Sequence, residues 1–127
     1  MKRLLLDTSV VIDFLRQKDK KKTLLYKLSN EKCAISLITH TELFAGKSVW
    51  ESKVARQELE TLFSGLTIIP MNNAISEKAG AFKVFYKNVD LLDCIIAATA
   101  IHHDMELVTL NTKDFSPIEK LMLYRSD

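Results

Sequence analysis

The sequence predicts an α/β fold with a mainly parallel sheet and helices on both faces. Two observations carry this expectation. Short apolar runs alternate with longer stretches of helical periodicity. The first of them, Leu4-Leu5-Leu6, is apolar throughout, as a strand buried on both faces requires. The chain also holds only three Gly and two Pro, which argues against a turn-rich all-β fold.

The elements follow in order. Residues 3–6 form the first strand, and 9–16 a helix with Val10, Val11, Phe14 and Leu15 on one face. Lys20 to Ser29 reads as a continuous second helix bearing Leu24, Leu25 and Leu28, and Asn30-Glu31-Lys32 as a turn. Residues 33–37 are rich in strand formers; Thr39 to Ala45 is a short helix that Gly46 can stop. Residues 51–63 form a charged amphipathic helix built on Val54, Leu59, Leu62 and Phe63. Leu66 to Ile69 is a strand ended by Pro70. Ala74 to Tyr86 and the more apolar Asp90 to His103 are helices, Leu107 to Leu110 is a strand, and Leu121 to Tyr124 is the last strand. No repeat, linker or low-complexity segment interrupts residues 1–127, which are expected to form a single domain.

Composition narrows the classes of function. A hydrophobic fraction of 47% and a charged fraction of 27% suit a globular protein. At 127 residues the core needs no disulfides. The formal charge of +2 decides nothing about partners. Lys18, Lys20, Lys21 and Lys22 form a basic cluster able to meet phosphates, although a solvated helix end is the better reading of each one taken singly. Cys33 and Cys94 sit in apolar segments without CxxC or Cys/His spacing, so they read as buried thiols rather than zinc ligands. The apolar run after Met1-Lys2-Arg3 is too short for a signal peptide, and no stretch reaches the ~20 residues of a membrane span. A cytoplasmic location is the expectation.

Four acids stand where the chain switches between elements. Asp7 closes the first strand, Glu42 follows the second, Asp93 opens the apolar helix, and Asp114 follows the fourth strand. In an open α/β sheet, ligands bind beyond the carboxyl ends of the strands, and this topology brings all four acids to that edge. Gathered carboxylates repel one another and call for a cation; an all-oxygen set suits Mg²⁺ or Mn²⁺. Helix capping competes with this reading. Thr39-x-x-Glu42 matches a capping box, and Asp90-x-x-Asp93 and Asn111-x-x-Asp114 share its spacing, so each acid equally suits a helix first turn. Asp7, directly after a buried strand, is explained only in part by capping.

Other chemistries find less support. His102 and His103 end a helix, where cations are favoured, and His40 is expected to face away from Glu42. There is no G-x-S-x-G elbow, Ser/His/Asp arrangement or phosphate-binding Gly-rich loop. A haloacid-dehalogenase-type site needs a second Asp where this chain has Ser9, and the acidic pair and lysine of a receiver domain are missing.

Four segments carry a resemblance. Leu6-Asp7-Thr8-Ser9-Val10-Val11-Ile12-Asp13 resembles the opening motif of PIN domains, and Thr39-His40-Thr41-Glu42-Leu43-Phe44-Ala45-Gly46 resembles the second. Leu92-Asp93-Cys94-Ile95-Ile96-Ala97-Ala98-Thr99-Ala100 and Leu107-Val108-Thr109-Leu110-Asn111-Thr112-Lys113-Asp114-Phe115 resemble the third and fourth. They occur in the family's order, and the chain's small size looks like the VapC toxins of toxin–antitoxin pairs. The resemblance implies a three-layer α/β/α fold with a five-stranded parallel sheet, a homodimer, and Mg²⁺- or Mn²⁺-dependent endoribonuclease activity blocked by a VapB-like antitoxin. It implies cleavage that leaves a 3′-hydroxyl and a 5′-phosphate. Carried over, Asp7 and Asp93 are the principal metal ligands, Glu42 and Asp114 complete the acidic site, and Thr8 or Ser9 hydrogen-bonds Asp7 or a water of the ion. Many PIN domains carry an acid where this chain has Asn111, so the fourth position falls to Asn111 or Asp114. A housekeeping PIN nuclease and a non-catalytic RNA- or protein-binding PIN module are the alternatives.

Overall fold

The structure, a computed structural model, describes residues 3–126. Four strands, β1 (Arg3–Leu6), β2 (Lys32–Ser36), β3 (Thr67–Ile69) and β4 (Glu106–Val108), form an all-parallel sheet in the order β3-β2-β1-β4. Side chains of successive strand residues point to opposite faces. Leu4 and Leu6 therefore enter one core cluster with Ile35 and Val108, and Leu5 enters the other with Ala34 and Leu107.

Helices cover both faces. Against Leu4 and Leu6 pack α1 (Thr8–Arg16), the short α2 (Leu24–Lys27), α4 (Ser48–Glu51) and α5 (Lys53–Ser64), through Val10, Val11, Leu25, Val49 and Leu59. Against Leu5 pack α6 (Asn73–Phe85) and α7 (Leu91–His102), with Phe115 of α8 (Thr112–Phe115). Helix α3 (Leu37–Phe44) divides its contacts, Leu43 to the first cluster and Ile38 to the second. Every residue of α7 from Cys94 to Ala100 is buried. A helix apolar all round belongs inside a protein, so α7 is a fixed mount for what it carries at its N-terminus.

Some expected elements are revised. The segment 20–29 is not one helix: a 3₁₀ turn at Lys20–Lys22 stops at Thr23, whose extended backbone and hydroxyl cap α2 by accepting from the Tyr26 N–H at 3.3 Å. Likewise Ser52 divides 51–63, its hydroxyl accepting from the Ala55 N–H at 3.2 Å to start α5. Helix α3 begins two residues earlier than expected because Ser36, not Thr39, is its cap, accepting from the Ile38 N–H at 3.1 Å.

The fifth strand is also corrected. Residues 121–124 contribute one parallel bridge, Leu107 to Leu123, so the sheet among the described residues has four strands. Consecutive turns, closed from Ile118 N–H to Phe115 O at 3.1 Å and from Leu121 N–H to Ile118 O at 3.2 Å, deliver the chain to the sheet only at Met122. There the Leu107 N–H donates to Met122 O and the Tyr124 N–H to Leu107 O, both at 2.8 Å.

Candidate active site

Strands β1 and β4 lie side by side, and their onward connections leave towards opposite edges of the sheet. Such a switch point opens a crevice at the strands' carboxyl ends. Asp7 follows β1 there and is 4% exposed. Its N–H is bound to Val108 O at 2.8 Å, which continues the β1–β4 ladder by one step. Its carboxylate Oδ2 accepts from the hydroxyls of Ser9 at 2.8 Å and Thr109 at 2.7 Å, while no hydrogen bond from the described residues reaches Oδ1. One oxygen is thus fixed and the other left to the crevice. Ser9 and Thr109 are in turn oriented by the Leu110 N–H, which donates to Ser9 Oγ at 3.2 Å, and the Asn111 N–H, which donates to Thr109 Oγ1 at 2.9 Å.

Glu42 arrives from α3. Its Oε1 accepts from the Thr8 hydroxyl at 2.6 Å, and Thr8 Oγ1 lies 2.9 Å from the hydroxyl of the fully buried Thr39. The capping-box reading of Thr39-x-x-Glu42 therefore does not hold: Thr39 lies inside the helix, and Glu42 in its second half. Asp93 sits in the first turn of α7, following Asp90 at the N-cap, and Asp114 in the first turn of α8, following Asn111. Neither N-cap side chain makes a capping hydrogen bond.

Electrostatics shows which acids converge. Burial, and then the charges of Asp7, Asp90, Asp114 and Glu42, raise the Asp93 carboxyl from an ordinary 3.8 to about 6. Each charged neighbour that shifts it is acidic. The ion pairs of the described residues, Lys20 with Glu58 and Arg56 with Glu60, leave these acids without a basic partner. The structure thus brings Asp7, Glu42, Asp93 and Asp114 together and adds Asp90 to them. Among the described residues, no group of three or more His, Cys, Asp or Glu side chains is placed to hold a metal ion as it stands. The donors nonetheless suit a hard divalent cation: they are all oxygen, they are mutually repelling, and Asp7 has one oxygen fixed and the other clear.

The Asp93 shift has a sign. Its folded pKa lies above the unfolded value, so the folded state holds the proton more tightly, and stability falls as pH rises from about 4 through 6. Without added metal, the wild-type Tm is expected to decline over that interval more steeply than the Tm of Asp93→Asn. Parallel melting curves of the two proteins, recorded in chelator, check this.

The remaining candidates lie elsewhere. His40 stacks on Phe63 at 4.7 Å and meets Phe44 edge-on at 4.9 Å. His102 and His103 end α7, and Arg3 at the start of β1 helps to lower the His103 pKa, which places them at the opposite sheet edge. Lys20 of the basic cluster caps the end of α1, donating to Phe14 O and to Leu15 O. Cys94 is buried and Cys33 half-buried; burial pushes both thiols up, away from the thiolate that a soft metal needs. Sequence reasoning missed Thr39, Asp90 and Thr109. For Thr109 a signal existed, since it follows β4 as Asp7 follows β1 on the neighbouring strand.

A groove adjoins Glu42. Ile12, Leu15, Leu43, Val49 and Leu59 form its apolar wall, with Glu42 and Arg16 on its lining and a volume of about 240 Å³.

A parallel sheet between helical layers, with acids gathered at its switch point, is an open α/β fold with its candidate ligand site where such folds place it. The PIN domain family model matches residues 4–121, and the chain belongs to that family. Among its relatives, Ribonuclease VapC19 of Mycobacterium tuberculosis is 34% identical over 117 residues, covering 87% of this chain and 90% of that protein. Among solved structures, a toxin–antitoxin complex from Klebsiella pneumoniae shares 33% identity at a TM-score of 0.76, covering 97% of this chain and 99% of that one. The VapBC2 complex of Rickettsia felis, bound to a DNA fragment from its promoter, shares 25% identity at a TM-score of 0.80, covering 98% and 99%. No helix of the described residues is long and apolar enough to cross a membrane.

Proposed function

We propose that this chain is a divalent-metal-dependent endoribonuclease, the toxin of a VapBC-type pair, with Asp7, Glu42, Asp93 and Asp114 as its catalytic acids. The observation that carries the reading is the convergence of these acids on one crevice, without a basic partner among the described residues, joined to the similarity to VapC ribonucleases. Asp7 and Asp93 are the principal ligands for Mg²⁺ or Mn²⁺. A bound ion would supply activation of a water for attack on the phosphodiester and compensation of charge developing on the phosphate. The protein's own part is to hold the oxygens. Ser9 and Thr109 keep Asp7 Oδ2 in place and leave Oδ1 available, and Thr8 does the same for Glu42 through Oε1. Asp93, mounted on the buried α7, gives up its proton to become a ligand, so ion binding near pH 6 releases protons.

Regulation follows from the same charge. A VapB-like antitoxin supplies an Arg or Lys to the uncovered acids, where a guanidinium engages two carboxylate oxygens at once. Its apolar anchor enters the groove walled by Ile12, Leu43, Val49 and Leu59 beside Glu42. A second copy of the chain would cover the exposed Val84, Phe85, Leu91 and Leu92 where α6 passes to α7. The deciding experiment is induced expression with and without the adjacent gene, followed by mapping of RNA ends. The expected result is growth arrest with discrete new 5′-phosphate ends, relieved by the neighbour. Cleavage that the neighbour does not relieve would point to a housekeeping nuclease, and no cleavage at all to a binding module.

The fourth acidic position is Asp114. Asn111 makes no side-chain cap, so Asn111→Ala removes little, whereas Asp114→Asn removes one of the charges acting on Asp93. Asp114→Asn is expected to reduce the cleavage rate at least tenfold and Asn111→Ala less than threefold, on the scale of roughly 1.4 kcal/mol per factor of ten. Matched single-turnover kinetics check the order, and the reverse order moves the position to Asn111.

A further inference from the structure

We infer that Thr39 is a positioning residue for the acidic site, acting on Glu42 through the hydroxyl of Thr8; the inference rests on the nuclease reading above. Thr39 is buried in the third position of α3, where a threonine ordinarily turns its hydroxyl back to its own helix. Two threonines in the interiors of helices do so: Thr41 donates to Leu37 O at 3.1 Å and Thr99 to Ile95 O at 2.7 Å. Thr39 instead spans to a second helix, with its Oγ1 2.9 Å from that of Thr8.

The hydrogens of this chain have one consistent arrangement. A carboxylate can only accept, so the single Thr8 hydroxyl hydrogen is committed to Glu42 Oε1 at 2.6 Å. Thr8 then has only lone pairs to offer Thr39, and Thr39 is the donor. The buried Thr39 hydroxyl thus fixes the rotor of Thr8, and Thr8 fixes one oxygen of Glu42. Hydrogen bonds in series also polarise one another, which strengthens the terminal bond to the charged group. The chain joins α3 to α1 immediately beside Asp7, so it sets where Glu42 stands relative to the acids carried by the sheet. Partners of ligating carboxylates, once removed, typically cost about 10–100-fold in metal affinity or activity.

The test compares Thr39→Val, which keeps the shape without the hydroxyl, with Thr39→Ser, which keeps the hydroxyl. Thr39→Val is expected to lower kcat about tenfold with KM within about twofold, and to weaken Mn²⁺ binding, read by electron paramagnetic resonance without RNA, by a similar factor. Thr39→Ser is expected to recover both readouts to within about threefold. In a Glu42→Gln background, Thr39→Val is expected to add almost nothing, since residues acting through one another are non-additive. Should Thr39→Val fail to fold, Thr39→Ala takes its place in the same comparison. A hydroxyl-free variant that folds and matches wild type in both readouts, or a Ser variant as impaired as Val, overturns the inference. Full activity of Asp7→Asn in the same assay overturns the nuclease reading instead, so the two failures are distinct.

Discussion

Asp7→Asn and Asp93→Asn are each expected to abolish RNA cleavage while leaving a folded protein. For Asp7, the amide keeps an oxygen able to accept from Ser9 and Thr109, so the internal bonds survive. What is lost is the negative charge that holds a cation, worth roughly a hundredfold or more where charge develops in a transition state. For Asp93, the substitution removes the carboxyl that burial and four acidic neighbours already disfavour in its charged form. In chelator at pH 7, its Tm is therefore expected to exceed that of wild type by roughly 2–6 °C. A variant more stable yet inactive is the signature of a site whose charges are held together at a cost. Asp13→Asn is the control: Asp13 accepts from Gln17 within its own helix at 3.1 Å, and its loss is expected to leave cleavage within about twofold of wild type. Cleavage of a fluorogenic RNA and thermal melting measure both properties on the same samples. Full activity in either the Asp7 or the Asp93 variant would remove these residues from the site.

Chelation is expected to have an effect of similar size. Excess EDTA should stop cleavage and Mg²⁺ or Mn²⁺ should restore it, because the described residues bring carboxylate and hydroxyl oxygen to the crevice. The nitrogen and sulfur groups suit the ion less, with His40 stacked among Phe44 and Phe63 and both thiols pushed up by burial, away from the thiolate form. A second readout needs no RNA. Ion at about a hundred times its Kd should stabilise wild type by roughly 2.7 kcal/mol, and Asp93→Asn by much less. Cleavage that persists in excess chelator, from a preparation whose Asp7→Asn counterpart is silent, would rule out the metal-dependent mechanism.

Much of the fold was legible because it rests on local apolar patterning. Leu4-Leu5-Leu6 could only be a strand covered on both faces, and the run from Cys94 to Ala100 only a helix within a core. The breaks at Thr23 and Ser52 were harder to read. Each depends on one hydroxyl taking a backbone N–H, a choice that helical periodicity does not record. The start of α3 was misplaced for the same reason, since Ser36 and Thr39 are both fit to cap and only the assembled sheet decides between them. At the site, the acids were visible as charged residues at element ends. Their supporting hydroxyls were visible only where they adjoin Asp7 in sequence. Thr109 reaches Asp7 across 102 residues and Thr39 reaches Thr8 across 31, distances at which a single sequence carries no pairing signal.

That long reach from Asp7 to Thr109 bears on when the site comes together during synthesis. Synthesis proceeds at about 5–20 residues per second, so roughly 5–20 seconds separate the two residues' entry into the chain. Until β4 docks beside β1, Asp7 lacks its Thr109 partner, and the helices bearing Asp93 and Asp114 have no completed sheet edge to meet. The crevice is thus among the last features to close as the chain is made. Parallel pairing over such separations is slow to form, so the carboxylates meet only after most of the molecule has already packed.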